Sequence, residues 1–205
     1  MGCDIHVYIE YKNRKIESDG HKHNWLSHGG RINPGRNYAL FALMANVRNY
    51  GGDLPVTFDP RGMPDDVAYY ASGDDRMYIC EDEGDNYVKM ERAERWVKDG
   101  SSKFINNRDG KPTWVTNPDW HSHSWLTTSE FESIFNNYLE RETQWHKERV
   151  ADHMTFVKRE NIKPDSWAYE PPSMNVEPTY QAVLASMKRF EELNYDSRIV
   201  FWFDN

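Results

Sequence analysis

The chain opens on an alternating pattern. In Cys3-Asp4-Ile5-His6-Val7-Tyr8-Ile9-Glu10-Tyr11 the odd positions are apolar and the even ones mostly polar. A strand sends these two sets to opposite faces. The pattern predicts a strand with Cys3, Ile5, Val7 and Ile9 toward the core. Asp4, His6, Tyr8 and Glu10 would share the other face. The chain closes on a second apolar stretch, Arg198-Ile199-Val200-Phe201-Trp202-Phe203, with Arg198, Val200, Trp202 and Asp204 on one side. Both end strands are apolar enough to be central in a sheet. If they are antiparallel neighbours, Asp204 approaches Asp4 and His6.

Between them the apolar spacing turns helical. Tyr38, Phe41, Met44 and Ala45 predict a short helix over roughly 37–47, ended by Tyr50-Gly51-Gly52. Residues 53–86 are rich in turn signals; Pro64-Asp65-Asp66 predicts a helical turn there and Met77–Cys80 a strand. A helix is expected over 87–98. Asn107-Arg108-Asp109-Gly110 predicts a hairpin turn between Phe104-Ile105 and Thr113-Trp114-Val115. The strongest local signal lies at 126–131. Thr127 and Glu130 form a capping box, and Leu126 with Phe131 forms a hydrophobic staple. A long helix should run from there to about 160, and another from Pro178 to Leu193. The expected fold is a single α+β domain over 1–205. It has a mixed or antiparallel sheet containing the N- and C-terminal strands, with two or more packed helices.

Composition narrows the classes. Nine Phe, eight Trp and twelve Tyr in 205 residues supply a bulky core. The net charge of -8 gives no broad nucleic-acid-binding surface. No run approaches 18 apolar residues, and no basic stretch leads into an apolar one at the start. Neither a membrane span nor a secretory leader is therefore expected. Cys3 and Cys80 form no disulfide framework, which fits a cytoplasmic protein.

Histidines carry the candidate chemistry. Asp119-Trp120-His121-Ser122-His123-Ser124-Trp125 alternates just before the helix cap. In an extended chain, Asp119, His121 and His123 project to one side. Asp4 and His6 repeat that logic on the first strand. If the segments meet, Asp4, His6, His121 and His123 form a ligand set suited to zinc, manganese or iron. The structural alternative is that these side chains satisfy turns and neighbouring backbone. His21-Lys22-His23 is a weaker copy in a loop, and His146 with His153 should sit on a solvated helix face. Arg36 and Arg61 are candidates for gripping an anionic group of a substrate. Dinucleotide, phosphate-loop, GxSxG and HExxH motifs are absent.

The opening Met-Gly-Cys-Asp-Ile-His-Val-Tyr-Ile-Glu looks like the start of a group of uncharacterised proteins of tailed phages and prophages. Arg36–Phe41, Arg61–Pro64 and His121–Thr127 add further matching blocks. The resemblance implies a phage-encoded protein acting inside a bacterial host, and it brings no activity with it. The sequence reading is thus an intracellular metal-binding protein. Its expected activity is metal-dependent hydrolysis of a phosphoester or nucleotide. The rival reading is a non-enzymatic accessory protein that binds a host protein or a small molecule.

Overall fold

The computed structural model describes residues 2–15, 25–50, 52, 54–55, 58–106 and 109–204. Its strands are β1 (Ile5–Asn13), β2 (Leu26–Ser27), β3 (Arg76–Ile79), β4 (Tyr87–Val88), β5 (Phe104–Asn106), β6 (Pro112–Thr116), β7 (Trp120–Thr127) and β8 (Tyr195–Asp204). Its α-helices are α1 (Tyr38–Ala45), α2 (Tyr69–Asp74), α3 (Met90–Asp99), α4 (Thr128–Arg159) and α5 (Pro178–Glu192). Among the described residues the strands form two four-stranded sheets, ordered β2-β1-β8-β7 and β4-β3-β6-β5. The fold is α+β, as the pattern predicts. The chain divides into two compact units. One comprises Met1–Arg36, Pro60–Thr128 and Ser186–Asn205; the other comprises Asn37–Asp59 and Ser129–Ala185.

The first unit holds both sheets. β1 and β8 pair antiparallel, with Ile5 opposite Phe203 and Asn13 opposite Tyr195. β7 joins the far side of β8, also antiparallel. The strongly apolar β8 is central because both its faces find cover: Ile199 through Phe203 are fully buried. β1 departs from the simple alternation. Cys3, Ile5, Val7 and Ile9 are buried as expected, but so are Tyr8 and Glu10 on the opposite face. The cover on that face is Ala71 with Met63 and Val67, which pack with Tyr8, Val200 and Trp202.

Glu10 tolerates burial because every part of its carboxylate is used. Arg198 donates Nε to Glu10 Oε2 at 2.8 Å, and Ala68 N donates to Oε1 at 2.8 Å. The latter bond ties the start of α2 to the sheet. That helix falls where the sequence shows turn residues, and Ala68 offers no capping side chain. A carboxylate from a distant strand meets the helix's unsatisfied N-terminal end instead.

The second sheet is the predicted hairpin enlarged. β5 and β6 pair antiparallel, β3 joins β6 antiparallel, and β4 adds to β3 in parallel. Residues 107 and 108 of the expected turn lie outside the described residues, as do His21 and His23. Met77, Val88, Ala93 and Val115 form its core, with Trp96 of α3 packed against them. The expected helix over 87–98 becomes a short strand followed by α3, which ends at Gly100.

The second unit is built from helices. In α1, Leu40 through Ala45 are all buried, as expected of a helix that is apolar on every side. Its start is capped by Asn37, whose side chain accepts from Leu40 N at 2.9 Å. Phe131, Ile134, Phe135 and Tyr138 of α4 are buried along one stripe. Burial pushes the Tyr138 phenol up to about 12. His153 is less solvated than its charged neighbours suggest, since Nε2 lies 3.3 Å from the Tyr169 carbonyl.

Candidate functional site

The site lies on one face of the first unit's β2-β1-β8-β7 sheet. Register places His6 of β1 directly opposite Trp202 of β8. His123, from the next strand, stacks on the same indole. The ring centroids are 5.9 Å apart for His6 and Trp202, and 5.7 Å for His123 and Trp202. Because β8 lies between β1 and β7, the indole stands between the two imidazoles. Trp120 packs beside it at 5.5 Å. The Trp202 Nε1 donor is buried and meets no acceptor among the described residues. Such an unmet donor costs about 1–3 kcal/mol.

Each imidazole has its own carboxylate. His6 Nε2 lies 2.9 Å from Asp204 Oδ2. His123 Nε2 lies 2.6 Å from Asp75 Oδ1, at the C-terminal end of α2. Asp204 also accepts from Asp4 N at 2.9 Å. The antiparallel end strands thus bring Asp204 to Asp4 and His6, as their pairing implies. An aspartate on one imidazole nitrogen fixes the ring's orientation and tautomer.

Asp4 turns away from the imidazoles toward Arg36. The guanidinium donates Nε to Oδ1 at 2.6 Å and Nη2 to Oδ2 at 2.8 Å. This two-point bond holds the Asp4 carboxyl below the usual carboxylate range, with the small loss of hydration acting against it. Gly2 closes the arrangement. A Cβ placed there would stand 2.2 Å from Arg36 Nη1, so a larger residue would make the end of the Arg36 side chain shift.

The sequence places His121 and His123 on one side, and the structure separates them. A bulge interrupts the β7–β8 register between His121 and Ser124, and Ser122 takes a φ of +52°. One extra residue reverses the alternation. His121 therefore stacks on Phe203, on the face opposite Trp202, and its Nδ1 lies 3.0 Å from Ser122 Oγ. Asp119 precedes the strand in an exposed turn. Among the described residues no three His, Cys, Asp or Glu side chains converge as a metal would require. Asp4, His6, His121 and His123 do not assemble into one ligand set, so they do not fit a zinc, manganese or iron centre of the expected kind.

A cavity of about 280 Å³ opens at His123. Asp75, Trp120, Ser102, Lys103 and Asn117 line it with the imidazole. Gly62, in the left-handed region at φ +81°, donates its N–H to the His123 carbonyl at 2.8 Å and pins the strand's bulged section. The expected anion-gripping arginines are both engaged with the protein. Arg36 holds Asp4; Arg61 stacks 4.7 Å over Trp125 and donates Nη1 to its carbonyl at 3.3 Å. The reading from sequence missed Asp75, Lys103 and Trp202 as site residues. Gly73-Asp74-Asp75 reads as a turn in isolation, and nothing local marks that its carboxylate meets a histidine 48 positions away.

No family model matches the chain, and no curated protein or solved structure is similar to it beyond chance. No described helix is long and apolar enough to cross a membrane.

Proposed function

We propose that this is a phage-encoded protein of the bacterial cytoplasm that hydrolyses a small phosphoester by acid–base chemistry at His123. The observation that carries the reading is the 2.6 Å pairing of His123 with Asp75 at a cavity that Lys103 also lines. With Nε2 donating to Asp75, the lone pair resides on Nδ1. That nitrogen takes the proton of a water as its oxygen bonds to phosphorus, while Asp75 steadies the imidazolium that forms. The imidazolium then returns the proton to the departing alkoxide. Lys103 offsets the charge of the phosphoryl oxygens. Origin and compartment rest on the resemblance of the sequence blocks to phage proteins.

The test is a panel of phosphomonoesters and phosphodiesters, including p-nitrophenyl esters and nucleotides. Wild-type protein should turn over at least one of them. His123→Ala and Asp75→Asn should each lower kcat by about 10²-fold or more, the usual worth of a positioned acid–base group. Saturable binding without turnover would replace this reading with the accessory-protein one. A stoichiometric transition metal in the purified protein would restore a metal-dependent mechanism.

A further inference from the structure

A second cleft in the same unit, of about 620 Å³, has walls unlike those of the His123 cavity. Tyr69, Tyr70, Tyr78, Tyr87 and Trp114 line it. These rings are not a core: Tyr69 is 77% exposed and Tyr70 67%. Their contacts are edge-on, with Tyr78 at 5.1 Å from Trp114 and Tyr69 at 6.0 Å from Tyr70, so they stand as steep walls. A concave cluster of aromatic rings open to water is a stacking surface, and the volume lies in the range of small-molecule sites.

Two charges enter the cleft, and among the described residues only one of them meets an opposite charge. Asp74 accepts from the Tyr8 hydroxyl at 2.9 Å and pairs with Arg31 at 3.4 Å. Arg76 makes no ion pair among the described residues, and its Nε is buried with no hydrogen-bond partner there. Among the described residues its side-chain hydrogen bond runs from Nη2 to Ser72 Oγ at 3.2 Å. The guanidinium is held over two walls, 5.7 Å from the Tyr69 centroid and 5.1 Å from that of Trp114. A cationic guest would meet a cation already on those ring faces. A neutral sugar would leave its charge unmatched. A flat molecule carrying an anionic group answers both features. Asn86, also on the wall, offers an amide donor and acceptor of the kind that reads a base edge. The chain's charge of -8 disfavours a long polyanion and suits a single nucleotide.

We propose that this cleft binds a mononucleotide, with its base stacked on the exposed tyrosine wall that includes Tyr70 and its phosphate held by Arg76. The proposal is independent of hydrolysis at His123, because binding is measured without turnover.

The experiment is calorimetric titration of the full chain with the four common nucleoside monophosphates, adenosine and ribose 5-phosphate. At least one monophosphate should bind with one-to-one stoichiometry. Adenosine should bind about tenfold more weakly than its monophosphate, and ribose 5-phosphate should not register. Arg76→Gln should erase the difference between adenosine and its monophosphate. Tyr70→Ala should weaken both about tenfold, as loss of one stacking partner does. Tyr70 is exposed, so this variant should unfold at the wild-type temperature, which a melting curve checks. Three outcomes overturn the proposal: no mononucleotide binding at millimolar concentration, equal affinity for ribose 5-phosphate, or an unchanged phosphate preference in Arg76→Gln.

Discussion

Asp4, just before β1, and Glu10, within it, titrate in opposite directions: burial pushes both carboxyls up, but the Arg36 bond outweighs it at Asp4. Asp4 is partly exposed and bonded twice to Arg36, so its carboxyl titrates below its ordinary range. Its ionised form therefore favours the folded state. That contribution is fully present above the unfolded value near pH 4 and is lost as pH falls through the lower folded value. Asp66 behaves alike: burial opposes the shift, but its bonds from Arg198 and Trp25 prevail. Glu10 has the opposite sign, because burial outweighs Arg198 and raises it. Protonating Glu10 thus does not add to the acid loss. Asp4→Asn should flatten the fall in stability below about pH 4, read by urea denaturation at each pH. Solvent screening keeps the effect small at this exposed pair. An acid limb identical to that of the wild type would show that the Arg36 bond contributes nothing.

At the scale of elements, the capping box is the clearest case of local sequence setting a boundary. α4 begins at Thr128, immediately after Thr127, as the Thr127/Glu130 spacing requires. Replacing Thr127 by Ala should cost about 1 kcal/mol in equilibrium unfolding. An unchanged denaturation midpoint would remove the cap from the account. At α1 the side-chain cap is seen directly, with Asn37 accepting from Leu40 N. α2 is the contrast. Its N-terminal support comes from Glu10, 58 positions earlier, so no window around residues 69–74 contains the reason for the helix. β7 shows a third situation. Its extended character is legible through Trp125, yet the bulge at Ser122 comes from how β7 must lie on β8. That single irregularity decides which histidine reaches the Trp202 face.

For the whole molecule, the last strand is the organising piece of its sheet. β8 is hydrogen-bonded on both sides, to β1 from the start of the chain and to β7 from its middle. Without it, β1 and β7 have no shared partner, and Trp202, Arg198 and Asp204 vanish together. A chain ending at Leu193 should lose cooperative thermal unfolding, read by circular dichroism. A sharp transition in that truncated chain would mean that the sheet closes some other way.

Local order alone determined much of this protein. The patterns of residues 3–11 and 198–203 mark two strands, though not the burial of both their faces, and helical spacing marks α1, α4 and α5, with the Thr127/Glu130 box at the start of α4. These features depend on neighbours within a few positions, and the periods of strand and helix are short enough to be written there. The tertiary structure alone decided the site. It gave Asp75 to His123, took Arg36 for Asp4, and turned His121 to the other face. Each of these depends on register across strands or on contact between distant segments, and a one-residue shift reverses which side chains meet. Chemistry that depends on such meetings is not contained in any stretch of sequence read by itself.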